Sequence, residues 1–118
     1  MTSRPPPSLP TIYPTSQSAE LDMAVFKNPA SEYRSAPFWC WNCKLDPAQL
    51  IRQMDVLAKM GFGGFHIHTR TGLATPYMGP EFMEIVHLCV DRAREKGMRA
   101  WLYDEDRWPC LLYTSRCV

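Results

Sequence analysis

The sequence carries no excess of either charge, and that absence removes several classes of function. Lys and Arg number 13 against 12 Asp and Glu, for a net charge of +1. The basic residues are spread among the acids and form no stripe, so neither nucleic acid nor a membrane surface is an expected partner. Long apolar runs are missing too. Nothing approaches the ~20 consecutive apolar residues that a membrane helix needs. The opening stretch Met1-Thr-Ser-Arg-Pro-Pro-Pro-Ser-Leu-Pro lacks the apolar segment of a secretory signal. The compartment is then cytoplasmic by default, unless the start codon is misplaced. Cysteine is sparse. Setting aside Cys110 and Cys117 near the C-terminus leaves Cys40, Cys43 and Cys89, an odd set that does not read as a disulfide framework. No cofactor is called for by any motif.

What is present suits a globular interior. Hydrophobic residues make up 46% of 118, and that length leaves room for one domain at most. Residues 1–24 are rich in Pro, Ser and Thr and are expected to be a loose leader, because they cannot offset their ordering entropy. Order should begin near Phe26. The other end is expected to be foreign. Residues 110–118 back-translate as TGT CTC TTA TAC ACA TCT AGA TGT GTA, which is the transposon mosaic end of sequencing libraries joined head to head. The next codon of that string is the stop TAA. Residues 110–118 are therefore set aside as adapter translation, and residues 25–109 are taken as the structured part.

Along that part the pattern alternates. Ala36-Pro-Phe-Trp-Cys-Trp-Asn reads as a buried strand bounded by Pro. Asp46 and Pro47 then supply an N-cap and a first helical residue. Leu50, Ile51, Met54, Leu57 and Ala58 give the following helix one apolar face, and Gly61 ends it. Gly63-Gly-Phe-His-Ile-His-Thr-Arg is a second strand. A second helix opens at Gly79-Pro80-Glu81, buries Phe82, Ile85, Val86, Cys89 and Val90, and stops at Gly97. Arg99-Ala-Trp-Leu-Tyr-Asp-Glu is a third strand. Strand, helix, strand, helix, strand argues for an α/β fold with a parallel sheet. Polar residues collect where each strand ends: Trp41 and Asn42, then His66, His68 and Arg70, then Asp104, Glu105, Asp106 and Arg107. That favours a partial (β/α)8 TIM barrel, whose active sites lie on this rim, over a doubly wound sheet.

Three stretches carry a family likeness. They are Asn28-Pro-Ala-Ser-Glu-Tyr-Arg-Ser-Ala-Pro-Phe-Trp-Cys-Trp-Asn, Gly63-Gly-Phe-His-Ile-His-Thr-Arg-Thr-Gly-Leu-Ala-Thr-Pro-Tyr and Lys96-Gly-Met-Arg-Ala-Trp-Leu-Tyr-Asp-Glu-Asp-Arg-Trp-Pro. Together they resemble the opening of large bacterial glycoside hydrolases related to alpha-L-rhamnosidases. The resemblance implies a (β/α)8 catalytic domain followed by β-sandwich modules, acting on terminal rhamnose or a related sugar of a glycan. Cys40 and Cys43 depart from it, since small or polar residues are usual there. After Pro109 the family pattern of Ser-Gly is also absent.

Each motif has a chemistry and a plainer alternative. Trp39 and Trp41 share one strand face, so Trp41 either stacks on a sugar or packs in the core. Asn42 binds a hydroxyl or closes a turn. His66 and His68 also share a face. They contact sugar hydroxyls, serve as satisfied core histidines, or hold a metal in a metal-dependent barrel hydrolase. Asp104-Glu105-Asp106 lies at a strand end. Adjacent residues point oppositely, so Asp104 and Glu105 do not form the two carboxyl groups that glycoside hydrolysis places across a bond. Asp104 or Asp106 is expected to bind a hydroxyl, and the acid and base are expected on later strands. Arg70 binds a carboxylate, the protein's own or a substrate's, and Tyr77 covers the rim. Trp39-Cys-Trp-Asn-Cys-Lys also resembles a thioredoxin-like redox motif using Cys40 and Cys43. The helix start at Asp46-Pro47 would deny both thiols its dipole. Trp41, Asn42, His66, His68, Asp104 and Asp106 are thus the expected sugar-facing residues. The chain itself is expected to be inactive as a glycosidase, with a carbohydrate as its partner.

Overall fold

The computed structural model describes residues 20–106. Residues 1–19 of the expected leader, Arg107 at the end of the expected rim, and the adapter-like tail lie outside the described residues. Met23 and Ala24, at the end of the expected leader, already belong to a short helix, α1 (Met23–Lys27). A 3-10 turn (Ser31–Tyr33) follows, then β1 (Phe38–Trp41), α2 (Pro47–Lys59), β2 (Gly64–Thr69), α3 (Pro80–Glu95) and β3 (Arg99–Leu102). The strands are parallel in the order β1-β2-β3. The molecule is an α/β fold with an open sheet, consistent with part of a barrel.

Local chemistry sets the helix limits. The Asp46 carboxylate accepts from the backbone N–H of Ala48 at 2.9 Å and of Gln49 at 3.4 Å. This satisfies two amides that have no partner inside α2. Pro47 occupies the first turn, where its missing N–H costs nothing. Pro80 plays the same part in α3. Both helices stop where the chain enters the left-handed region, at Gly61 (φ 87°) and Gly97 (φ 64°). Asp55 of α2 takes Lys96 at 2.7 Å and Arg92 at 3.3 Å, tying the ends of the two helices together.

Strand alternation and register sort the side chains onto two faces. Trp39 pairs with Ile67, and Trp41 with Thr69. Trp39, Trp41, Phe65 and Ile67 face α2 and α3, where they meet Leu50, Met54, Phe82, Ile85, Val86 and Cys89 in one core. Trp41 meets the Phe82 ring edge-on at 5.6 Å. The Trp39 indole N–H donates to Gln53 Oε1 at 2.8 Å, so this large side chain is buried without a lost hydrogen bond. Each such burial stabilises the fold by about 1.5–3 kcal/mol. On the opposite face, Phe38 pairs with His66 and Cys40 with His68, while His66 pairs with Trp101. In a closed barrel this face would be the inside.

Gly64 lets β2 and β3 approach. A Cβ there would collide with the Arg99 carbonyl and lie 2.8 Å from the Trp101 ring. Only a residue without a side chain fits.

Candidate functional site

The inner face carries a continuous aromatic layer. His66 stacks on Trp101 with centroids 4.7 Å apart and planes at 12°. Nδ1 of His66 lies 3.2 Å from the Ala36 carbonyl. His68 leans on Tyr103 at 4.4 Å. Phe38 sits beside both histidines, at 5.5 Å from His66 and 5.1 Å from His68. Phe38 is 65% exposed, whereas His68 is only 4% exposed. Burial lowers the His68 pKa from 6.5; Arg70 lowers it further and Glu105 opposes the shift. The shift favours the neutral ring. Its Nδ1 is buried and has no hydrogen-bond partner among the described residues.

Glu105 stands above this layer and is held by Thr69 at the end of β2 and by Tyr103 just past β3. Its carboxylate accepts from the Tyr103 hydroxyl at 3.1 Å, and its carbonyl accepts from the Thr69 hydroxyl at 2.6 Å. Asp104 is exposed and Asp106 half-buried. All three carboxylates act on Tyr77, whose phenol is pushed up first by burial and then by Asp104, Asp106 and Glu105. Tyr77 also packs on Phe82 at 5.4 Å. It therefore joins the acid-rich rim to the core below α3.

Two loops are locked together beside this rim. The Arg70 N–H donates to the Trp41 carbonyl at 3.0 Å, and the Ala74 N–H to the Cys43 carbonyl at 3.2 Å. The Leu45 N–H donates to the buried Thr75 hydroxyl at 3.0 Å. Gly72 adopts φ 104°, and a Cβ there would lie 2.6 Å from the Asn42 carbonyl. These contacts hold the Asn42 backbone at the strand end, with its side chain exposed.

The structure brings His66, His68 and the segment Asp104–Asp106 to one end of the sheet, with Asn42 at the neighbouring strand end. Trp41 does not join them. It is 1% exposed and lies on the helix side of β1. Phe38, Trp101, Tyr103 and Glu105 belong to the cluster but were not among the expected sugar-facing residues. A legible signal existed for two of them. Trp101 in β3 and Tyr103 just past it repeat the alternate spacing of His66 and His68 in β2, and the Tyr103 N–H donates to the Ile67 carbonyl at 2.9 Å, so the four stand side by side.

The alternative chemistries gain nothing from this arrangement. Cys40 and Cys43 are both exposed and unbonded. The first amides of α2 are taken by Asp46, and Cys40 lies within β1, away from the helix start. Among the described residues, no group of three or more His, Cys, Asp or Glu is placed to hold a metal ion. No described helix is long and apolar enough to cross a membrane.

No family model matches the sequence, and no curated protein matches it. The fold resembles part of a solved structure, that of a rhamnosidase from Novosphingobium sp. PP1Y, with a TM-score of 0.60 and 21% identity. The match covers 72% of this chain and 9% of that one. At this identity the likeness is one of fold alone. The chain spans a small fraction of the rhamnosidase that it resembles.

Proposed function

We propose that the chain is the opening arc of a glycoside hydrolase barrel that acts on terminal rhamnose or a related sugar. The observation that carries this is the inner face itself. Aromatic rings and two imidazoles run along parallel strands and end on three consecutive carboxylates, at the strand ends where barrel enzymes assemble their sites. The fold likeness to a rhamnosidase supports the same reading. Sugars suit such a face because an aromatic layer meets their C–H surfaces while a few placed polar groups take their hydroxyls. His66, His68, Asn42 and one carboxylate of the segment Asp104–Asp106 supply those polar groups. Trp41 supports the face from behind as a core residue.

Hydrolysis needs a second carboxyl group across the scissile bond. Asp104, Glu105 and Asp106 are neighbours on one strand end and do not span that gap. The acid and base therefore belong to further strands, and this chain alone turns over no glycoside. The test is to extend the reading frame past the Pro109 codon with the native genomic sequence and to assay the product on a panel of chromogenic glycosides. Release from an α-L-rhamnoside is the expected result. A product that cleaves no glycoside overturns the proposal.

A further inference from the structure

The rim offers three carboxylates, and the geometry points to Glu105 as the one that takes the sugar, paired with His68 so that the two groups bind neighbouring hydroxyls of a vicinal diol. This rests on the sugar-binding reading above and deepens it. The expected candidates were Asp104 and Asp106. Asp104 is exposed at the edge of the rim. Glu105 instead is fixed to the aromatic layer. The Tyr103 hydroxyl holds its carboxylate at 3.1 Å, and the Tyr103 ring rests on His68 at 4.4 Å. Carboxylate, phenol and imidazole are thus one connected unit that spans β2 and β3.

His68 supplies the second observation. It is a polar side chain more than nine-tenths buried whose Nδ1 lacks a partner among the described residues. Such a group destabilises the fold unless something satisfies it. Neutral imidazole can donate from one nitrogen and accept at the other, whereas a carboxylate only accepts. A pair of adjacent hydroxyls can donate one hydrogen bond to Glu105 and exchange another with His68. Phe38 and Trp101 then offer ring surface to the ring carbons of the same sugar. Tyr103 and Thr69 are positioning residues. They aim Glu105 and touch no substrate.

The test is a binding titration of the purified chain with methyl α-L-rhamnopyranoside and with its 2,3-O-isopropylidene derivative, in which the diol is blocked. The free diol should bind at least ten-fold more tightly and should shift the His68 ring resonances. Glu105→Gln should weaken binding at least ten-fold, with Asp104→Asn and Asp106→Asn within about two-fold of the parent. Tyr103→Phe keeps the ring on His68 and removes only the hydrogen bond, so it decides the matter should Glu105→Gln fail to fold. It should weaken binding several-fold and leave the unfolding midpoint in urea nearly unchanged. In Glu105→Gln the Tyr103 phenol should ionise at lower pH, because its bond to Glu105 is the main cause of its raised pKa. Binding that survives Glu105→Gln, or that is lost instead in Asp104→Asn or Asp106→Asn, overturns the assignment. So does the absence of binding by any methyl glycoside with a free diol. If a D-mannoside binds with the same Glu105 dependence and the rhamnoside does not, the assignment stands and the rhamnose reading fails. Binding of the rhamnoside without Glu105 dependence reverses that outcome.

Discussion

Trp41 and His68 occupy neighbouring strands and have opposite tasks, and the parity of their positions decides which. Trp41 is paired with Thr69 on the helix side, and His68 is paired with Cys40 on the inner side. Truncating Trp41 to Ala should leave a cavity beneath α3 and cost about 3–5 kcal/mol. That is a large part of the ~5–15 kcal/mol by which a domain is stable. Phe38→Ala removes a ring that is mostly exposed and should cost about 1 kcal/mol. Urea titration of the two variants compares them directly. An equal loss from both would contradict the assignment of faces.

His68 also makes a pH prediction. Its pKa is lowered in the folded chain from 6.5, so the unfolded chain binds the proton more readily. The folded state keeps its full stability above the unfolded value and loses it as pH falls from there through the lowered folded value. His68→Gln should flatten that part of the stability profile. An unchanged acid limb would show that His68 titrates as it does in the unfolded chain. The pairing of His66 with His68 could be read from spacing alone. The burial of one and not the other could not, because it depends on Phe38 and Tyr103 arriving from two other strands.

At the scale of elements, the helices and strands with regular patterns were legible. Asp46 and Pro47 mark the start of α2, Gly79-Pro80 the start of α3, and Gly61 and Gly97 their ends. Replacing Asp46 with Ala should cost about 0.5–2 kcal/mol, the usual value of a lost cap, and thermal unfolding would register it. The parallel sheet followed from the alternation of elements. Helix α1 and the 3-10 turn did not show, for a physical reason. Both are too short to display a period. The turn is held by contacts distant in sequence: the Ser31 hydroxyl donates to the Gly97 carbonyl, and Glu32 pairs with Arg99 at 3.4 Å. Gly64 lies next to this anchorage, at the β2–β3 junction. Gly64→Ala should push β3 away from β2 and cost about 1–3 kcal/mol. A variant as stable as the parent would mean that the two strands have room to spare.

At the scale of the molecule, among the described residues β2 is the only strand with a neighbour on both sides. The outer edges of β1 and β3 have no strand partner among the described residues, and such edges favour association between copies. The inner face adds Phe38 and half-buried Trp101 to that tendency. Sedimentation of the purified chain should therefore show association that grows with concentration. A strictly monomeric species at high concentration would count against an open sheet. The placement of the candidate residues at the strand ends, and of both histidines on one face, was legible, since strand ends and alternate spacing are local signals. The anchoring of Glu105 was not legible, because its contact with Thr69 joins residues far apart in sequence.

The division of the sheet into a sugar-facing inner side and a structural helix side is tested most directly by two-dimensional NMR of the chain during addition of methyl α-L-rhamnopyranoside. The shifts should fall on Phe38, His66, His68, Trp101 and Glu105 and leave Trp39, Trp41 and Phe82 unmoved. Shifts centred on the helix-side residues, or none at all at saturating sugar, would contradict the account.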